Sequence, residues 1–195
     1  VYKSQTATPG VPFLPRKFKI AFNGSLEDRA ATGWYDIGVQ AQRNAAGEVG
    51  FTVMAGGGMG RTPVIAAVMN DFVPWEQLLN YIEAIVRVYN RWGRRDNKWK
   101  ARIKILVKAE GPKFIEDVET EYRAILEQDG APHTITPAEL ERVQAGFHVP
   151  PLRAAGIPSL VNIAAKSYQR WLTQNVGAHR VHDLCVVTLS FKRPG

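Results

Sequence analysis

One amphipathic run limits the fold more than any other feature. Leu78, Leu79, Ile82, Ile85, Val86, Tyr89 and Trp92 recur at helical spacing, and Gly93 ends the run. Pro74 suits the first helical position. A helix with a single apolar stripe must bury it against another layer. The residues before it offer one. Asp36 to Arg43 and Glu48 to Ala55 read as two strands joined by a hairpin turn at Asn44-Ala45-Ala46-Gly47. Further upstream, Arg16 to Phe22 alternates and reads as a strand closed by Asn23-Gly24-Ser25. Residues 26–33 read as a short helix or loop.

Beyond the helix, residues 99–108 alternate again. As a strand they put Lys100, Arg102 and Lys104 on one face and Ala101, Ile103, Ile105 and Val107 on the other. A second helix starts near Pro112 and buries Phe114, Ile115, Val118, Tyr122, Ile125 and Leu126. A third helix is expected over about 159–174, and the alternating run from Leu184 to Phe191 reads as a strand. The expected organisation is an extended lead-in (1–14), an α+β domain in α/β layers (15–128), a Pro/Gly-punctuated linker with a short helix after Thr136-Pro137 (129–158), and the start of another unit (159–195).

Composition narrows the function classes. Of 195 residues, 45% are hydrophobic, which suits a packed domain and not a disordered tail. No run of about 18 apolar residues marks a membrane span. The single cysteine, Cys185, rules out an intrachain disulfide and fits a cytoplasmic protein. Val1 is neither an initiator Met nor the start of an apolar signal segment, so the chain is expected to begin inside a longer protein. The net charge of +7 calls for an anionic partner: nucleic acid, phosphate, a sulfur oxyanion or a polycarboxylate cofactor.

Four groups of residues could carry chemistry. On a strand, Lys17 and Lys19 point to the same face, roughly 7 Å apart. In a cavity two such ammonium groups bind a small dianion and can deliver protons; on an open sheet they are only a solvated face. The run Gly56-Gly57-Gly58-Met59-Gly60 lets backbone approach a flat or anionic ligand, or is simply a flexible strand exit. It has neither the Lys-Ser/Thr ending of a nucleotide-binding loop nor dinucleotide-fingerprint spacing. The basic stretch Arg87, Arg91, Arg94, Arg95, Lys98, Lys100, Arg102, Lys104 reads as a nucleic-acid surface, a clamp for a carboxylate-rich cofactor, or an exposed face with helix C-terminal charges. His179, His182 and Cys185 are spaced by three, a weak zinc signal, and Cys185 is expected to pack in a core.

Leu14-Pro15-Arg16-Lys17-Phe18-Lys19 is similar to the signature segment of siroheme-containing sulfite and nitrite reductases. Asp36-Ile37-Gly38, Gly50-Phe51 leading into the glycine run, Asp71-Phe72-Val73-Pro74, Arg91-Trp92-Gly93 and Arg94, Asn97, Ala101-Arg102 and Lys104 follow in the family's order. The resemblance implies a sulfite/nitrite reductase 4Fe-4S-domain-like fold: a mixed, largely antiparallel sheet flanked by helices, followed by a partial ferredoxin-like unit. It implies that the full enzyme reduces sulfite to sulfide by six electrons at siroheme coupled to a 4Fe-4S cluster. Lys17 and Lys19 match the family's substrate-binding, proton-supplying lysines. Arg16, Gly56, Gly57, Gly58, Gly60, Arg94 and Arg102 would contact the siroheme. The family's nitrite reductases usually carry Asn at the place of Lys19, which favours sulfite. Implied partners are a flavoprotein or ferredoxin donor and the remainder of the enzyme's own chain, which carries the four cluster cysteines. With Cys185 alone, this chain is expected to hold neither cofactor and to be inactive by itself; the family's substrate-binding arginines also lie before its Leu-Pro-Arg-Lys segment. The competing class is a basic nucleic-acid-binding module, for which no recognition motif is present.

Overall fold

The computed structural model describes residues 14–15, 17–148, 165–179, 181–182, 184–189 and 191. The chain divides into two compact units, Val1–Phe147 and His148–Gly195.

The first unit is built on a four-stranded sheet. Its strands are β1 (Ile20–Asn23), β2 (Ile37–Arg43), β3 (Val49–Ala55) and β4 (Ala67–Pro74), in that spatial order. β1 and β2 run parallel, with Ile20 opposite Ile37. β2–β3 and β3–β4 are antiparallel, the latter with register shifts around Val53. The β2–β3 hairpin forms as expected. The Asn44 side chain accepts the amides of Ala46 and Glu48, both at 3.0 Å, and Gly47 takes the positive φ of 82° that closes the turn.

Three helices pack on this sheet: α1 (Leu78–Trp92), α2 (Ile103–Glu110) and α3 (Pro112–Glu127). Ile37, Val39, Val53 and Ala55 from the sheet meet Tyr81, Ile85 and Val88 of α1, Ile103 and Leu106 of α2, and Phe114, Val118 and Ile125 of α3 in one core. Among its polar contacts, Tyr81 donates to Glu119 at 2.6 Å, and Asn70 donates to the same oxygen at 3.0 Å. Burial pushes the Tyr81 hydroxyl well above its usual range, helped by that carboxylate, so it remains a donor. The short α4 (Pro137–Gln144) opens with a capping box between Thr136 and Glu139. It is tied to the sheet–helix body by the Ile135 amide, which donates to the Glu76 carbonyl at 2.8 Å.

Several elements differ from the expectation. Residues 99–108 are not a strand: a turn runs to Arg102, and α2 follows. Only Ala101 to Ile105 alternate, and the pattern that wins is helical, with Ile103, Leu106 and Val107 all turned into the core. Lys104 is therefore buried, not aligned with Lys100 and Arg102 on an open face. β1 starts at Ile20, so Lys17 and Lys19 precede it. Pro74 closes β4, and a 3-10 turn, Trp75–Gln77, separates it from α1. Gly93 ends α1 in an extended conformation; a Cβ there would lie 2.5 Å from the Tyr89 carbonyl oxygen, so close packing is what requires glycine.

On the other face of β2, the 3-10 turn Thr32–Trp34 lies so close that a Cβ on Gly38 would sit 2.4 Å from the Thr32 carbonyl oxygen. Asp28 holds this turn, accepting the Thr32 amide at 2.8 Å and its hydroxyl at 2.7 Å. Those bonds keep the Asp28 carboxyl below the ordinary carboxylate value.

In the second unit, α5 (Lys166–Asn175) runs into β5 (Val176–Ala178), which pairs antiparallel with β6 (Cys185–Val187). Cys185 is exposed and not packed in a core, because these two strands bury little of either face.

Two stability outcomes follow. Phe114→Ala, at a site 1% exposed, should destabilise the first unit by about 3–5 kcal/mol in a urea titration. Asp28→Ala should cost about 1 kcal/mol at neutral pH. The Asp28 contribution is complete above its unfolded value of about 4 and fades as pH falls through the lowered folded value, so the stabilities of variant and parent should converge on acidification.

Candidate functional site: a small cationic cavity

The cavity forms where four segments converge. The turn ending at Tyr35 brings in Trp34, Tyr35 and Asp36. The chain entering β1 brings Lys17 and Lys19, the β3 exit brings Gly58 and Met59, and the residue before α2 brings Arg102. The enclosed volume is about 120 Å³. Liquid water takes about 30 Å³ per molecule, so this space suits an anion of a few heavy atoms.

Asp36 is fully buried at the back of the cavity. One carboxylate oxygen accepts from the Arg102 guanidinium at 2.6 Å. The other accepts the Lys19 backbone amide at 3.2 Å. The Lys19 carbonyl takes the Ile37 amide at 3.0 Å, which carries the parallel pairing of β1 and β2 one residue further. Lys17 and Lys19 thus both line one hollow although their segment is not a strand.

The glycine run is held by the protein itself. A Cβ on Gly57 would lie 2.4 Å from the Gly33 carbonyl oxygen, and one on Gly56 would lie 2.8 Å from Val107. These two glycines serve internal packing, whereas Gly58 lines the cavity, its missing Cβ facing the Arg102 guanidinium at 3.0 Å and the Lys104 stem at 3.1 Å. Gly58 also exchanges two backbone bonds with Val64, at 2.9 and 3.0 Å. Lys104 pins the same loop by donating to the Thr62 carbonyl at 2.6 Å, and burial, reinforced by the Arg102 charge, lowers its pKa.

The structure therefore brings together Lys17, Lys19, Gly58 and Arg102 from the expected set. Gly56 and Gly57 stand behind the cavity, and Gly60 is exposed and outside its lining. Arg94 does not join them; it is exposed and paired with Asp96. Arg16 lies outside the described residues. Nor is the basic stretch one continuous surface. Arg87 binds Glu83, Glu121 and Asp129, and Arg91 binds Glu121 at 2.7 Å, so these two charges tie α1 to α3 and the segment after it. Trp34, Tyr35, Asp36 and Met59 were not among the expected site residues; the place of Asp36 in the family-like Asp36-Ile37-Gly38 segment and of Met59 in the glycine run was the available signal. Among the described residues no three His, Cys, Asp or Glu side chains converge as metal ligands. No helix of the described residues is long and apolar enough to cross a membrane.

A larger hollow of about 550 Å³ lies between α4, β3 and the start of α1. Val49, Phe51, Trp75, Leu78, Leu140 and Val143 make it almost wholly apolar. The charge chemistry is in the smaller cavity.

Comparison with known proteins identifies the family. Residues 2–126 match the family described as nitrite and sulphite reductase 4Fe-4S domain. The chain is 33% identical over 108 residues to the sulfite reductase (NADPH) hemoprotein beta-component of Shewanella sediminis, covering 52% of this chain and 19% of that protein. It is 30% identical over 173 residues to sulfite reductase (ferredoxin) 1 of Mycolicibacterium paratuberculosis, covering 86% of this chain and 30% of that one. The chain thus spans between about a fifth and a third of these relatives' length. The solved structure of the Mycobacterium tuberculosis NirA protein superposes with a TM-score of 0.53 at 30% identity, over 59% of this chain and 21% of that one. The layered sheet and these matches agree: the chain belongs to the nitrite and sulphite reductase family, a family of oxidoreductases, through its 4Fe-4S domain.

Proposed function

We propose that this chain supplies the substrate-anion site of a sulfite reductase, the enzyme class that reduces sulfite to sulfide by six electrons. The observation that carries the reading is the convergence of the Lys17 and Lys19 side chains on one small hollow beside Arg102 and Gly58. The Nζ groups of the two lysines bind the oxyanion's oxygens, balance its two negative charges and donate protons as those oxygens depart as water. Arg102 shares its charge with Asp36, so the two lysines are the cations left to the ligand. A dianion matches them better than a monoanion, which favours sulfite over nitrite.

The residues fit a cofactor only in part. Siroheme carries carboxylates, and Lys17, Lys19, Arg102 and Gly58 make a suitable rim for it. The enclosed volume is too small to take a tetrapyrrole inside. When bound, siroheme delivers the electrons to the substrate. The 4Fe-4S cluster does not fit this chain: it needs a set of thiolates, and Cys185 is the single cysteine. The cluster ligands and the contact with a flavoprotein or ferredoxin donor fall, in this reading, to other parts of a longer enzyme.

Calorimetric titration with sulfite should show saturable binding that weakens as salt is raised. Lys17→Ala combined with Lys19→Ala should weaken it by tenfold or more; unchanged affinity would sink the assignment. Nitrite should bind the parent chain less tightly than sulfite. With a chemical reductant and sulfite, the chain alone should produce no sulfide, and any sustained turnover would refute its dependence on the cluster ligands.

A further inference from the structure

We infer that Asp36 is the positioning residue of the anion site, its carboxylate fixing the backbone from which Lys19 projects and the guanidinium of Arg102 in one step. The inference rests on the anion-site reading above. A carboxylate is an unexpected neighbour for an anion, since it repels the ligand directly. Yet Asp36 is fully buried in the lining of a cavity that otherwise gathers three cationic side chains. What it does there is visible in its bonds.

Each of the three Asp36 oxygens holds a different segment. One carboxylate oxygen takes the Arg102 guanidinium at 2.6 Å, and the other takes the Lys19 amide at 3.2 Å. Its main-chain carbonyl takes the Gly56 amide at 3.0 Å, at the root of the glycine run. The bond to Asp36 is the one hydrogen bond the Arg102 guanidinium makes among the described residues, and its buried Nε has no partner there. Lys19 precedes the first paired residue of β1; the Ile37 amide holds its carbonyl, and the Asp36 carboxylate holds its amide. Without Asp36, the lysine segment, the arginine and the glycine loop would have no common anchor. The carboxylate's repulsion of the ligand is the cost of that anchoring.

The sign of a mutational effect separates this role from a bystander charge. If Asp36 acted on the anion only through its charge, removing it would tighten sulfite binding. As a positioning residue, its removal should weaken binding by about tenfold, the loss of one hydrogen bond made to a charged group. The experiment titrates sulfite into the parent chain, Asp36→Ala and Asp36→Asn. The amide side chain of Asp36→Asn keeps an oxygen that can accept the Lys19 amide, so this variant should recover most of the affinity lost in Asp36→Ala. The Lys19 amide resonance should move in Asp36→Ala and stay near its parent position in Asp36→Asn. Because Asp36→Ala leaves a buried guanidinium unpaired and can fail to fold, Asp36→Asn against the parent also decides alone: a bystander charge predicts tighter sulfite binding in Asp36→Asn, and a positioning residue predicts binding no tighter than the parent's. Equal or tighter sulfite binding in Asp36→Ala, or tighter binding in Asp36→Asn, overturns the positioning role and leaves the anion site standing. Absence of sulfite binding to the parent chain overturns the anion site itself, and the positioning role with it.

Discussion

A buried ion pair between residues 66 positions apart joins the front of the sheet to the start of a helix. Asp36 immediately precedes β2, as Arg102 immediately precedes α2. A carboxylate this deeply buried is tolerated only when paired, because removing one partner of such a pair typically costs about 3–5 kcal/mol. The pair therefore fixes the approach of α2 to the sheet, and with it the place of Lys104, the loop containing Thr62 and the exit of β3. The cavity is the space left at this junction. Its cations are where they are because the polypeptide crosses there, and the backbone of each crossing segment is bonded to a neighbour.

Close backbone packing sets the other boundary. Gly38 and Gly57 both face the Thr32–Tyr35 segment at distances no side chain would allow. That segment covers the sheet face opposite the helices and brings Trp34 and Tyr35 to the cavity wall. A glycine run suited by composition to cradling a ligand is thus used chiefly to let three pieces of the protein touch, with only Gly58 left for the hollow. Packing and binding share one motif, and the same residue type serves each for the same reason, the lack of a Cβ.

Much of the fold was legible because its signals are local. The β2–β3 hairpin carries its own turn chemistry, and α1 and α3 carry long, regular apolar stripes. β4 was not, because Asn70 and Asp71 interrupt its apolar residues; in the structure Asn70 uses its side chain to accept the Phe72 amide at 2.8 Å. α2 was misread because the chance alternation of Ala101 to Ile105 hid a helix only eight residues long. At the site, the Lys17–Lys19 pair stood out by spacing, although both residues line the cavity from outside any strand and it is the Lys19 amide that Asp36 holds. Arg94 was credited with a ligand contact that Asp96, two residues away, takes instead. The partner that makes Asp36 important is far along the chain, and no local pattern reveals it.

Cys185 stands exposed on β6 and is the chain's one sulfhydryl. A maleimide dye or spin label would therefore attach at a single known place, in the smaller unit. The same exposure makes the protein prone to couple in pairs through sulfur when stored in air, so a reductant belongs in any buffer used to measure its mass in solution.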